Sequence, residues 1–87
     1  MYHIDYDKKA GKILAKIQKH DREAIKKKID KLAEDPRPPG VEPLQGEHAG
    51  YYRIRFGDYR IIYEIRDTKL LILVVKIGNR KDIYKKK

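Results

Sequence analysis

The sequence predicts an α+β fold: a small, twisted, mainly antiparallel sheet of about four strands, with two N-terminal helices packed on one face. Three observations predict it. Apolar residues recur at helical spacing through the first third of the chain, and from Tyr51 onward the period changes to two. Between these regimes, Asp35 to Gly50 (DPRPPGVEPLQGEHAG) holds all four prolines and three of the six glycines.

Taken in order, Tyr2 to Tyr6 (YHIDY) alternates loosely and suits a short first strand. Asp7 is placed to N-cap a helix, its carboxylate accepting from the first free backbone N–H groups. Ala10, Ile13, Leu14 and Ile17 give that helix one apolar stripe. Gly11 lies within it and costs about 1 kcal/mol relative to alanine, so the helix depends on packing. Asp21 reads as a second cap, followed by a stripe of Ile25, Ile29, Leu32 and Ala33 that ends before Pro36. Lys26, Lys27, Lys28 and Lys31 belong to the solvated face. The short Lys19–His20 join implies an antiparallel helix pair. Asp35 to Gly50 reads as a long loop of functional character that carries the chain across the sheet. It is not a domain boundary, because neither flank is large enough to fold alone, so residues 1–87 form one domain.

The stretch YYRIRFGDYRIIYEI, Tyr51 to Ile65, reads as two strands joined at Gly57-Asp58, a two-residue hairpin signal. That turn sets Phe56 beside Tyr59, Arg55 opposite Arg60 and Arg53 opposite Ile62. Facing residues share a side of the sheet. Tyr52, Ile54, Phe56, Tyr59, Ile61, Tyr63 and Ile65 then form the core face, and Tyr51, Arg53, Arg55, Arg60, Ile62 and Glu64 the other. A one-residue slip would bury three arginines, so the hydrophobic pattern fixes the register. A second two-residue turn at Asp67-Thr68 would bring Ile77 beside the hairpin tip and end the last strand, Leu70 to Ile77, at Gly78. Arg80 and Tyr84 follow and can reach the same patch.

Like charges set opposite one another destabilise a sheet, and composition suggests why they are retained. The chain has 87 residues, 22 basic and 13 acidic, for a formal net charge of +9. Residues 1–50 hold 11 basic and 9 acidic side chains, whereas residues 51–87 hold 11 and 4. A concentrated positive field points to a polyanionic partner, nucleic acid or an acidic protein. Guanidinium forks suit phosphate and tyrosine stacks on bases, which together indicate nucleic acid. The competing reading is that Glu64 and other carboxylates neutralise the arginines. There is no cysteine, which fits a reducing, intracellular setting and excludes thiolate metal sites. His3, His20 and His48 show no metal-ligand spacing. The longest apolar run, Leu70 to Val75, is too short for a membrane span, and the N-terminus lacks the order of a signal peptide. The expected location is cytoplasmic.

Two N-terminal helices, LQG at Leu44 to Gly46, YYRIRFGDYRIIYEI, and VVKIGNRKDIY at Val74 to Tyr84, in this order and spacing, resemble the RelE/ParE toxin superfamily, and within it the RelE-type messenger-RNA endonucleases. The resemblance covers nearly the whole chain and implies a RelE-like fold. It also implies a toxin of a type II toxin–antitoxin system that enters the ribosomal A site and cuts messenger RNA without metal or organic cofactor. The implied partners are the ribosome with its message and a cognate acidic, RelB-like antitoxin. The implied assembly is a monomeric free toxin and a higher-order toxin–antitoxin complex, with no membrane involved.

Carried over by position, the resemblance makes Arg53, Arg55, Arg60, Arg80 and Tyr84 the site. The 2′-hydroxyl would attack the adjacent phosphate, giving a 2′,3′-cyclic phosphate and a 5′-hydroxyl. Arg53 and Arg60 would stabilise developing charge, Arg80 would serve the leaving oxygen, and Tyr84 would orient a base. The chain departs from the pattern at Arg55, where RelE-type toxins have a lysine proposed as the base, since a guanidinium is a poor proton acceptor. Either water or ribosomal RNA takes the proton, or Glu42 does. EPL at Glu42 to Leu44 resembles the YoeB-like branch, whose glutamate there is the proposed base; alternatively Glu42 is an ordinary loop residue. Asn79 stands where many relatives have histidine and offers no proton route, and His48 reads as incidental. Two other functions stay open on the same fold: a ParE-like toxin that poisons DNA gyrase, and a catalytically inert relative that binds antitoxin or nucleic acid.

Overall fold

The computed structural model describes residues 1–79. Asp7 caps helix α1 (Lys8–Lys16), its carboxylate accepting from the Lys9 N–H at 3.2 Å. Ala10, Leu14 and Ile17 are buried as the stripe requires, but Ile13 is 41% exposed at its edge. Helix α2 (Lys19–Lys31) begins earlier than expected. Lys19 and His20 are helical, the join is Ile17–Gln18, and Asp21 lies in the first turn instead of capping it. The Arg22 guanidinium takes up the carbonyl of Ile17 at the end of α1, at 3.0 Å. A cation there suits both the orphan carbonyls and the helix dipole. Ile25, Ile29, Leu32 and Ala33 are all buried.

The sheet has five strands, β1 (His3–Tyr6), β2 (Glu42–Pro43), β3 (Tyr51–Phe56), β4 (Tyr59–Arg66) and β5 (Leu71–Asn79), in the order β1-β5-β4-β3-β2. β1 is parallel to β5 and the remaining pairs are antiparallel. The strand beyond the expected four is β2, inside the proline-rich stretch. Two residues have no periodicity to read, and a proline is accommodated because β2 is an edge.

The β3–β4 hairpin has the expected register, Phe56 to Tyr59, Arg55 to Arg60 and Arg53 to Ile62. Gly57 has φ 56° while Asp58 stays in the ordinary region, the pattern of a type II′ turn that matches strand twist. The β4–β5 connection differs from expectation. Asp67–Lys69 form a 3-10 turn and Leu70 takes a left-handed conformation (φ 51°, ψ 48°). The longer turn shifts the register, so Arg66 pairs with Leu71, and Ile77 pairs with Ile61 instead of flanking the hairpin tip. β5 continues through Gly78, which faces Arg60, to Asn79.

β5 also carries a bulge. Tyr63 pairs with Val74 but Ile62 pairs with Lys76, leaving Val75 as the extra residue. The bulge explains the burial of Ile72, Val74 and Ile77, spaced by two and then by three. These residues join Ile54, Ile61 and Tyr63 under the helices in one core.

A polar clasp closes one end of this core. Tyr63, fully buried, donates its hydroxyl to the Pro36 carbonyl at 2.7 Å and stacks on Tyr52. Arg37 lies over the Tyr52 ring and donates to Asp67 at 3.1 Å, and the Tyr2 hydroxyl donates to the same carboxylate. This ties the start of the proline-rich stretch to the β4–β5 turn.

Candidate nucleic-acid interface

The face away from the helices is organised in rows. Adjacent strands lie about 4.8 Å apart, so each row is a line of side chains crossing the sheet. One row runs Glu42, Arg53, Ile62, Lys76 across β2, β3, β4 and β5, and the next runs Arg55, Arg60, Gly78. Three arginines and one carboxylate thus come together from three strands.

Glu42 is the acidic member. Its Oε1 accepts from Arg53 Nη2 at 2.6 Å and from Arg53 Nε at 3.0 Å, and its Oε2 lies 3.6 Å from Arg55 Nη2. The Arg53 hydrogen bonds, then the Arg53 charge and the charges of Arg55 and Arg60, hold its carboxyl below the ordinary carboxylate value. The neutralising carboxylate is therefore Glu42, brought in by an edge strand. Glu64 pairs with Arg66 at 3.1 Å.

The three arginines differ in setting. Arg55 is exposed and Arg53 half-buried. Arg60, expected on an open face, is only 9% exposed. Its Nη1 donates to the carbonyls of Gly57 and Tyr59 at 3.2 and 3.1 Å, so it braces the hairpin turn. The cause is its place on β4, an inner strand with Arg55 on one flank and a side-chain-free Gly78 on the other. It still contributes charge to the site, as its effect on Glu42 records.

Beside the arginines the face opens into a groove of about 630 Å³ that includes Arg53, Tyr51 and Ile62. Lys9, Lys76 and His48 also line it. Sequence reasoning set none of the three in the site. The signal for Lys76 is the bulge, and Lys9 arrives because the Asp7 N–H donates to the Val74 carbonyl at 2.8 Å, docking the start of α1 beside that bulge. Arg80 and Tyr84 lie outside the described residues. Among the described residues no group of three or more His, Cys, Asp or Glu side chains could hold a metal ion. No described helix is long and apolar enough to cross a membrane.

This is a small α+β domain with a basic, carboxylate-tempered sheet face, and comparison gives its class. Residues 4–84 match the family described as ParE toxin of type II toxin-antitoxin system, parDE. The mRNA interferase toxin RelE of Escherichia coli strain K12 is 32% identical over 80 residues, covering 91% of this chain and 83% of that protein. The crystal structure of the isolated E. coli RelE toxin superposes with a TM-score of 0.79 at 31% identity, covering 97% of this chain and 92% of that one. The archaeal RelE–RelB complex of Pyrococcus horikoshii OT3 superposes with a TM-score of 0.80 at 29% identity, covering 92% and 96%. The chain belongs to the RelE/ParE superfamily of type II toxins, and RelE mRNA interferases are among its relatives.

Proposed function

We propose that this toxin is an endoribonuclease that cuts messenger RNA in the ribosomal A site by attack of a ribose 2′-hydroxyl on the adjacent phosphate. The observation that carries the reading is the Glu42–Arg53–Arg55–Arg60 constellation: a carboxylate within 2.6 to 3.6 Å of two guanidiniums, in the field of a third. The arginines supply fixed positive charge where the transition state gathers negative charge. Glu42 supplies the proton acceptor that Arg55 cannot be. In the free protein Arg53 holds Glu42 at low basicity. A bound phosphate competes for the Arg53 fork, which loosens that hold and raises the basicity of the carboxylate as substrate arrives. Arg80 and Tyr84 serve the leaving oxygen and the stacked base.

The cognate partner is an acidic antitoxin. The net charge of +9 and the RelB–RelE complexes among the matched structures support this. The expected setting is the cytoplasm, where the ribosomes are.

The ParE description of the matched family favours a second reading, inhibition of DNA gyrase. One experiment separates the two. The chain, its Arg60→Ala variant and the milder Arg55→Ala variant, whose side chain is exposed, are expressed in cells and message 5′ ends are mapped. The endoribonuclease reading expects codon-phased cuts that both variants lose. Intact messages with blocked supercoiling would establish the gyrase reading instead.

A further inference from the structure

The groove beside the arginine cluster has features that the cleavage chemistry does not require. A regular β5 would place residue 76 on the helix-facing side with Ile72 and Val74. The bulge at Val75 moves Lys76 to the open face, and bulges commonly re-aim a side chain in this way. Lys9 reaches the same groove from α1. Among the described residues neither lysine forms an ion pair with a carboxylate. Between Arg53 and Lys76 in their row lies Ile62, so the two cationic positions are separated by two strand spacings, about 10 Å. Ile62 and Leu44 provide an apolar floor, Tyr51 lines the groove as well, and the Glu47 carboxylate in its lining is outnumbered by Lys9, Arg53 and Lys76.

We propose that this groove carries the RNA strand away from the arginine cluster, with Lys9 and Lys76 each holding a backbone phosphate from the β5 side and Tyr51 stacking on a base from β3. The inference rests on the endoribonuclease reading and assigns the path of the substrate. Cations at the rim and an apolar, aromatic floor match the two halves of a nucleotide, phosphate outside and base within. Arg53 belongs to both the groove and the cluster, so a strand held at one continues directly into the other. An acidic peptide would also satisfy the lysines, but that continuity favours RNA.

The test is the double variant Lys9→Gln, Lys76→Gln. Both side chains are exposed, so an unchanged melting temperature is the control for folding. Binding of a single-stranded RNA oligonucleotide is measured against salt concentration. Each phosphate contact on a single strand contributes about 0.7 to the slope of log affinity against log salt, so the slope is expected to fall by about 1.4. Next, messages carrying one neutral methylphosphonate at successive positions beside the cut are compared. The wild-type chain should lose affinity at two flanking positions, and the double variant should be indifferent there. An unchanged methylphosphonate profile overturns the proposal even if the salt slope falls, because the lysines then act on RNA as a diffuse charge and hold neither of these phosphates. A wild-type chain that binds RNA through these phosphates yet cuts no message overturns the endoribonuclease reading and leaves the groove as an RNA site.

Discussion

Replacing Glu42 with glutamine tests the site most directly, because it removes the charge and keeps the shape. The amide oxygen of the Glu42→Gln variant can still accept from Arg53, so the hairpin and β2 should stay in place. The Glu42 side chain is 43% exposed, Arg55 is 60% exposed, and the 20% exposed Arg53 keeps a hydrogen bond to the amide oxygen. Water competes for the first two, and exposed ion pairs add little to stability, so the melting temperature should move by less than about 3 °C. Catalysis should respond quite differently. A positioned proton acceptor contributes on the order of 10²- to 10⁴-fold, and the single-turnover cleavage rate on programmed ribosomes should fall by that factor. RNA affinity should rise, since one negative charge leaves a cluster of three guanidiniums. The pH profile gives an independent reading. In the free protein Arg53 holds the Glu42 carboxyl below its ordinary value of 4.5, so the acidic limb of the wild-type kcat/KM profile lies below that value and the glutamine variant lacks it. If Glu42→Gln cut within about threefold of wild type, Glu42 would be a counter-ion, and the proton acceptor would lie in water or ribosomal RNA.

Two further predictions concern the clasp. Tyr63→Phe removes the donor to the Pro36 carbonyl at a fully buried ring and should destabilise the fold by about 1 to 2 kcal/mol. Calorimetry should then show a melting temperature lower by roughly 5 to 12 °C. The Asp67 carboxyl is held below its ordinary value of 3.8 by the Tyr2 hydroxyl and then by Arg37. A carboxyl lowered on folding contributes stability above the unfolded value and loses it as pH falls through the folded one. Thermal melts should therefore decline below about pH 4 more steeply for the wild type than for Asp67→Asn; parallel curves would remove Asp67 from the account.

The hairpin was legible in the sequence because period-two patterning and a two-residue turn over-determine it. Arg53, Arg55 and Arg60 fell on the expected face for that reason. What the pattern does not encode is how far each side chain stands clear. The inward, turn-bracing setting of Arg60 depends on Gly78, a neighbour 18 positions further along. Glu42 was legible only through resemblance, since a two-residue edge strand containing proline carries no periodic signal. The β4–β5 register was missed because Leu70, apolar and half exposed, occupies a left-handed turn position that glycine or asparagine would have advertised. Lys76 was missed because the bulge at Val75 lies in a run, Leu71 to Val75, that is apolar on both faces and so carries no period for a bulge to break.

Strand order has a consequence for how such a chain is made. β5 lies between β1 and β4, and it is the latest of the described strands to leave the ribosome. Until residues 71–79 emerge, β1 has no strand to join and α1 lacks its principal partner. Pairing between such distant segments is late and slow. The groove beside the arginines needs Lys76 and the docked start of α1, and both await that same strand. On the proposed function, a protein that attacks messages in translating ribosomes is built so that its full substrate path closes only after its latest described strand has been made.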